Sequence, residues 1–189
     1  MARRLIPIRP LALAAAGAAA CLTSVGGFQL WQAAAARSQA EAAQDAAAAA
    51  WEAGSAGAIA RLTDGAHGVE LYVMPDAGWD SLADGPGLFA GVAPGEAGMS
   101  VIAGHRETHF AFLQELAVGD RVTLEDRDGE STEFRVTDAR VVDGRTVAVG
   151  GTPPAPGAAA ELMLVTCWPF DSAEIGPDRY VVTLGDVKS

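Results

Sequence analysis

The sequence predicts an all-β domain in which eight short strands close into a barrel with one or two short helices, preceded by an N-terminal membrane helix and an Ala-rich helical spacer. Residues 1–60 are rich in Ala and lack strand-like alternation, whereas from Arg61 onward short β-branched runs are separated by Gly, Pro and Asp. A chain of 189 residues is long enough for one buried core and an appendage. We therefore assign 1–31 to a signal or anchor segment, 32–57 to the spacer and 58–189 to the β-domain.

The N-terminal segment has the charge pattern of a membrane anchor. Basic residues at positions 3, 4 and 9 precede an uncharged stretch from Leu11 to Trp31. About 20 residues, at about 1.5 Å each in a helix, match the roughly 30 Å of a bilayer core. The basic flank favours a cytoplasmic N-terminus and an exported domain. Cleavage as a signal peptide and lipidation at Cys21 are the alternatives, and both also export the domain.

From Gln32 to about Ala53 the chain consists almost entirely of Ala, Gln, Glu and Arg, residues that favour a helix without a broad apolar face. This composition is typical of a semi-rigid spacer, or of a low-complexity tract without a defined role. We expect Gly54–Gly57 to end the helix.

Short apolar runs between turn residues predict the strands of the domain. Asp128-Gly129 and Asp143-Gly144 favour hairpin turns, and Pro153–Gly157 an exposed loop. Apolar residues at helical spacing predict a short helix over Thr108–Leu116, and Asp80–Ala83 a further helical turn. The predicted strands are Ala58–Thr63, Val69–Met74, Met99–Ala103, Arg121–Glu125, Glu133–Thr137, Ala139–Val142, Glu161–Thr166 and Tyr180–Leu184.

The charge distribution argues against nucleic-acid binding. The first 37 residues contain four Arg and no acid, so the remainder holds nine basic residues against all 24 acids, a net charge of −15. Such a surface repels phosphate backbones.

Cys167 is the only cysteine of the β-domain, because Cys21 lies in the N-terminal segment. An exported domain normally pairs its structural cysteines, so an unpaired one is either a small buried residue or a reactive thiol. It follows the predicted strand Glu161–Thr166, at a strand end where catalytic side chains are commonly displayed.

Two further residues could complete a thiol-based site. His105 follows a predicted strand and could act as general acid and base. His109 is close enough to be the acid/base instead. The non-catalytic alternative is that His105 is a surface histidine that caps a helix. Arg179, at the start of the last strand, could donate hydrogen bonds to an oxyanion, although an arginine there is more often simply solvated. The spacing of the histidines and the thiol does not favour zinc.

Together these residues resemble the sortase family. The resemblance covers about residues 58–185 and rests on Ala103-Gly104-His105-Arg106, Leu164-Val165-Thr166-Cys167 and Gly176-Pro177-Asp178-Arg179-Tyr180-Val181-Val182, in that order. The stretches Gly-His-Arg-Glu-Thr-His-Phe and Thr-Cys-Trp-Pro-Phe-Asp are most similar to the sortases of Gram-negative bacteria, class GN, with class D next.

The resemblance implies a sortase-type barrel and a cysteine transpeptidase. Such an enzyme cleaves a Leu-Pro-x-Thr-Gly-like signal near the C-terminus of an exported protein and transfers that protein to an amine. Cys167 would be the nucleophile, His105 the acid/base and Arg179 the oxyanion or substrate-positioning residue. Thr166 and Trp168 would support the substrate site.

The resemblance implies no cofactor and no metal, and no acidic cluster favours the calcium that some relatives bind. Membership of class GN would place the anchor in the inner membrane and the domain in the periplasm.

The chain departs from the family pattern at two places. Trp168 follows the cysteine where Tyr or a smaller residue is expected, and Leu88 or Phe89 stands where a family loop carries a histidine. Both departures bear on substrate recognition.

Three other functions are possible from the sequence. An L,D-transpeptidase expects Ser-His-Gly-Cys at its nucleophile, and a papain-like peptidase places its cysteine before its histidine; the chain fits neither pattern. A non-enzymatic anchored β-domain with an inert Cys167 is the third, and a thiol-reactive probe would distinguish it.

Overall fold

The computed structural model describes residues 9–146, 158–172, 174 and 176–188, with side chains described from residue 31 onward. The chain divides into two compact units, Met1–Ser38 and Gln39–Ser189. The side chains of residues 1–30, which include Cys21 and nearly all of the segment expected to be an anchor, and the whole loop predicted at Pro153–Gly157 lie outside the described residues.

A long helix, α1, runs from Arg9 to Glu52 and covers most of the segment predicted as a spacer. It ends where Gly54 adopts a left-handed φ of 64°, a conformation that glycine adopts at little cost. No helix in the described part of the chain is both long and apolar enough to cross a bilayer.

The domain that follows contains eight strands and little helix among its described residues. One short helix, α2, spans Trp79–Asp84, close to the predicted turn, whereas only a 3-10 helix at Ala111–Gln114 forms where Thr108–Leu116 was predicted. The strands are β1 Ala60–Asp64, β2 Val69–Val73, β3 Gly87–Gly91, β4 Gly98–Ala103, β5 Arg121–Asp126, β6 Ser131–Asp143, β7 Ala160–Cys167 and β8 Asp178–Asp186.

The predicted number of strands is right, but two of the assignments are wrong. Strand β3 was not predicted, and the two strands predicted over residues 133–142 form the single strand β6. The register of β6 against β8 shifts between Val136 and Asp138, and the Thr137 hydroxyl donates to the Thr183 carbonyl there at 3.0 Å. This bulge bends the strand without ending it.

The described strands form one curled sheet in the order β2-β1-β5-β6-β8-β7-β4-β3. Among the described residues its two edge strands meet at an isolated bridge between Met74 and Gly87, where Met74 N donates to Pro86 O at 2.7 Å and Leu88 N donates to Met74 O at 3.0 Å. The predicted closed barrel is therefore corrected to a curled half-barrel. Asp128-Gly129 turns β5 into β6 as predicted, whereas Asp143-Gly144 does not close a hairpin, because β6 pairs with β8.

Strand β7 separates the hydrophobic core from a second face of the sheet. Leu162, Leu164 and Thr166 are buried, whereas Met163, Val165 and Cys167 are half-buried on the opposite face. This is the period of two expected for a strand, so adjacent residues serve different faces. The core side also holds Phe110, Leu113 and Leu116, the apolar residues at helical spacing.

The C-terminal part of α1, from Gln39, packs on the domain. The Gln44 side chain accepts a hydrogen bond from Tyr72 N at 2.7 Å and donates to Tyr72 O at 3.2 Å and to Asp84 O at 2.7 Å. One amide thus pairs with the edge strand β2 and with the end of α2. Gly85 permits this contact, because a Cβ there would lie 2.5 Å from Gln44 Nε2.

We expect Gln44→Ala to lower the free energy of unfolding by about 1–2 kcal/mol, because three hydrogen bonds to backbone groups are lost. Urea denaturation of the purified protein measures this. Gln114→Ala is the matched control, since the exposed Gln114 donates only to Ala111 in its own turn. Equal stability of the Gln44 and Gln114 variants would contradict the stabilising role of the Gln44 hydrogen bonds.

Candidate active site

The ends of three neighbouring strands bring the sequence-predicted residues together. Cys167 is the last residue of β7 and is directly opposite Arg179 in the antiparallel pairing with β8. Opposed residues have Cβ atoms about 4.5–5.5 Å apart. Strand β4 runs parallel to β7 with Ala103 opposite Val165, so His105 lies two residues beyond this pair, as Cys167 does. The register alone therefore places His105 and Arg179 on either side of the thiol.

Thr166 and Gly104 fasten the ends of β7 and β4 to each other. Gly104 N donates to Val165 O at 3.1 Å, and the Thr166 hydroxyl donates to Gly104 O at 2.7 Å. Thr166 is buried on the side opposite Cys167. Its role is thus to fix the backbone that carries both His105 and Cys167, consistent with the supporting role predicted for it.

The segment after β4 turns tightly at His105. The His105 carbonyl accepts a hydrogen bond from Phe110 N at 2.9 Å, and the Phe110 ring packs against Gly104. A Cβ at Gly104 would lie 2.9 Å from that ring, so the glycine allows the turn to fold back onto the core. This contact sets the direction in which His105 leaves the strand.

The three residues line one cavity of about 590 Å³ on the side of the sheet away from the core. His105, Glu107, Cys167 and Arg179 supply its polar groups. The apolar walls come from three sheet valines, from α2 and the chain just before it, and from β3: Val142, Val165, Val181, Ala77, Trp79, Leu82 and Phe89. Two rim residues stand out as exposed aromatics, Trp79 at 85% and Phe89 at 58% exposure. A few polar groups thus converge in a cavity whose walls are largely apolar, as is typical of ligand sites.

The Arg179 guanidinium is held by backbone carbonyls. Its Nη1 donates to Gly176 O at 2.8 Å and to Asp178 O at 2.9 Å. The guanidinium has three further N–H donors, on Nε and Nη2. Gly144 packs against the side chain, since a Cβ there would lie 3.1 Å from Arg179 Cγ.

Trp168 lies outside the set of residues that line the cavity. Its ring stacks on Tyr180 at 5.7 Å between centroids and meets Phe170 edge-on, also at 5.7 Å. Phe170 and Tyr180 also pack on the core. The structure thus gives Trp168 a packing role beside Cys167, and its support of the substrate site stays a prediction.

His109, the competing histidine, is buried and is also outside the cavity lining. Burial lowers the pKa of its imidazole, and the nearby charge of His105 lowers it further, against smaller opposing effects of the Ala40 backbone and Asp84. A neutral buried imidazole away from the thiol is poorly placed for proton transfer at the site.

Sequence reasoning missed three contributors to the site. Glu107 and Trp79 line the cavity, and the buried Arg106 donates hydrogen bonds to the chain between β7 and β8. Arg106 and Glu107 belong to the segment flagged at His105, but the sequence does not indicate which of these side chains is buried. No group of three or more potential metal ligands occurs within the described ranges.

This chain belongs to the sortase family, since the family described as Sortase domain matches residues 65–186. It is 31% identical over 114 residues to Sortase D of Bacillus subtilis (strain 168), a match that covers 60% of this chain and 56% of that protein. The chain thus matches little more than half the length of this curated relative.

Solved sortase structures share the fold. A Sortase D5 transpeptidase of Clostridium perfringens superposes with a TM-score of 0.58 at 23% identity, covering 69% of this chain and 79% of the other. Sortase A of Corynebacterium diphtheriae gives 0.59 at 22% identity, covering 70% and 62%. Sortase A of Listeria monocytogenes gives 0.59 at 20% identity, covering 69% and 88%.

We expect His109→Gln to reduce the loss of thermal stability that accompanies acidification from pH 7 to pH 5. A histidine whose pKa is lowered on folding binds more protons in the unfolded state than in the folded state. Its contribution to the free energy of unfolding therefore falls as the pH drops below about 6.5, the usual pKa of histidine. Melting temperatures of the wild type and the variant between pH 5 and pH 8 measure the difference. His67 is shared by both proteins, so the raised pKa that its hydrogen bond to Asp64 produces cancels. Parallel pH curves would contradict the assignment.

Proposed function

We propose that this protein is a cysteine transpeptidase of the sortase type that acts on a C-terminal Leu-Pro-x-Thr-Gly-like signal of an exported protein. The supporting observation is that Cys167, His105 and Arg179, far apart in the sequence, line one cavity at the ends of three adjacent strands. A nucleophile, an acid/base and an oxyanion donor are the groups that acyl transfer requires. Family membership independently favours this chemistry over the other cysteine enzymes considered above.

In the proposed reaction the Cys167 thiolate attacks the carbonyl carbon of the Thr in the signal, and the carbonyl electron pair moves onto oxygen. The guanidinium of Arg179 stabilises that oxyanion with donors on Nε and Nη2. His105 protonates the nitrogen of the leaving Gly as the C–N bond breaks, which leaves a thioester on Cys167. An incoming amine then attacks the thioester carbonyl and His105 accepts its proton. The C–S bond breaks, which releases the new amide and regenerates the Cys167 thiolate.

Transfer to an amine requires that water attack the thioester more slowly. The apolar walls formed by Val142, Val165 and Val181, and the rim formed by Trp79 and Phe89, limit the water that can reach the sulfur. Residues 147–157, in the connection from Val142 to Ala160, lie outside the described residues.

The class and location are further proposals. The 31% identity to a Sortase D supports class D, while the residue sequences of the motifs around His105 and Cys167 favour class GN. The basic residues before the uncharged Leu11–Trp31 stretch support an inner-membrane anchor with the catalytic domain in the periplasm. Trp168, packed on Tyr180, would act on substrate only indirectly.

Cys167→Ala should abolish cleavage and leave the fold intact, because the thiol forms the covalent bond and Ala is accommodated at this half-buried strand end. With a fluorogenic Leu-Pro-Glu-Thr-Gly peptide, mass spectrometry of the wild type should show a thioester adduct on Cys167. Cys21→Ala, which removes the other cysteine of the chain, is the control and should stay active. Cleavage by the Cys167 variant, or an adduct at another residue, would rule out this mechanism.

Arg179→Lys should be nearly as damaging as Arg179→Ala, because an ammonium cannot reproduce the planar array of guanidinium donors. Loss of an oxyanion donor costs about 10²–10³ in kcat. Steady-state turnover of the same peptide measures the loss, and alkylation of Cys167 by iodoacetamide checks that the thiol stays accessible. Near-normal turnover of the Lys variant would show that Arg179 acts only as a positive charge.

A further inference from the structure

Arg106 is a fully buried cation immediately after His105. Its side chain is 0% exposed, whereas that of its ion-pair partner Glu107 is 53% exposed. Burial of a guanidinium is unfavourable unless hydrogen bonds compensate for the lost water. The hydrogen-bond partners of Arg106 therefore indicate the role of the buried side chain.

Two of those partners lie in the connection between β7 and β8, residues 168–177. Nη2 of Arg106 donates to Ser172 O at 2.5 Å and to Glu174 O at 3.1 Å, contacts that span 66 and 68 residues of sequence. Its Nε donates to the Glu107 carboxylate at 2.8 Å. The side chain thus joins the segment that carries His105 to the connection that links Cys167 with Arg179.

The same connection is held from its other end by Arg179. Nη1 of Arg179 donates to the carbonyls of Gly176 and Asp178. The carbonyls of residues 172, 174, 176 and 178 therefore accept hydrogen bonds from two guanidinium groups, the first two from Arg106 and the last two from Arg179. The position of one guanidinium constrains the other through about six residues of backbone.

We propose that Arg106 is a positioning residue of the transpeptidase: by holding the Ser172 and Glu174 carbonyls, it fixes the path of the β7–β8 connection and thereby the direction of the Arg179 guanidinium. This inference rests on the proposed function of Arg179. Arg106 touches no reacting atom, and it lies outside the cavity lining. Its effect on turnover passes through Arg179, while Cys167, held in the β7 ladder, keeps its place.

The test compares Arg106→Lys with Arg121→Lys. Arg121→Lys makes the same substitution at an exposed position, where Arg121 pairs with Glu133 on the surface. A lysine at 106 retains the charge but cannot replace the multiple donors of the guanidinium. With the fluorogenic Leu-Pro-Glu-Thr-Gly peptide and triglycine, we expect kcat of Arg106→Lys to fall at least about tenfold, with alkylation of Cys167 by iodoacetamide within about twofold of wild type. Arg121→Lys should change neither.

A double-mutant comparison separates positioning from a general structural role. In an Arg179→Ala background, Arg106→Lys should lower kcat by less than about threefold, because the group it positions is already absent. Amide hydrogen exchange within residues 170–176 should be at least about tenfold faster in Arg106→Lys, and unchanged in the core strand β5.

The following results would overturn the proposal. One is an unchanged kcat in Arg106→Lys. Another is an equal fall in kcat in the wild-type and Arg179→Ala backgrounds. The third is unchanged amide hydrogen exchange within residues 170–176. If the Lys variant does not fold, Arg106→Gln takes its place in every measurement. Failure of both variants to fold would assign Arg106 to the stability of the core and contradict a positioning role.

Failure of the proposed function is distinguishable from failure of this inference. If the wild type neither cleaves the peptide nor forms an adduct on Cys167, the transpeptidase assignment fails. Hydrogen exchange and alkylation would still report whether Arg106 holds the connection.

Discussion

The pairing of β7 with β4 on one side and with β8 on the other is the constraint on which the site depends. The parallel β4–β7 register places Ala103 opposite Val165, and the antiparallel β7–β8 register places Cys167 opposite Arg179. Because residues that are far apart in sequence become neighbours only through these ladders, the chemistry of the cavity depends on the correct assembly of the sheet. The Thr166 hydroxyl bond to the Gly104 carbonyl fastens β7 to the end of β4.

The register also decides which side chains meet substrate and which form the core. A slip of one residue in β7 would turn Cys167 into the core and bring Thr166 to the cavity, because successive side chains point to opposite faces. Leu162 and Leu164 oppose such a slip, since each is fully buried and would become exposed. Hydrophobic burial therefore stabilises the arrangement of the candidate site indirectly, through strand register.

Backbone carbonyls carry the rest of the organisation. Gln44 binds Asp84 O and so connects α1 to the helix that presents Trp79 and Leu82 to the cavity. On the other side, Arg106 and Arg179 bind alternate carbonyls of the β7–β8 connection. The helix at the cavity rim and the β7–β8 connection are thus each tied to the fold by side chains that donate to backbone carbonyls, which orders segments that have no ladder of their own.

The sequence by itself determined the all-β character of the domain and most of its strands, and it predicted the three candidate site residues, because strand propensity, turn residues and a lone thiol are local signals. Strand β3 escaped notice, since Gly87–Gly91 is short and glycine-flanked and is held by pairing with β4. Only the tertiary structure decided that Arg106 is buried, that Trp168 packs on Tyr180 and that the sheet curls without full closure. Each of these features depends on contacts between residues distant in the chain. Such contacts contribute to the free energy of folding only once the fold has brought the residues together.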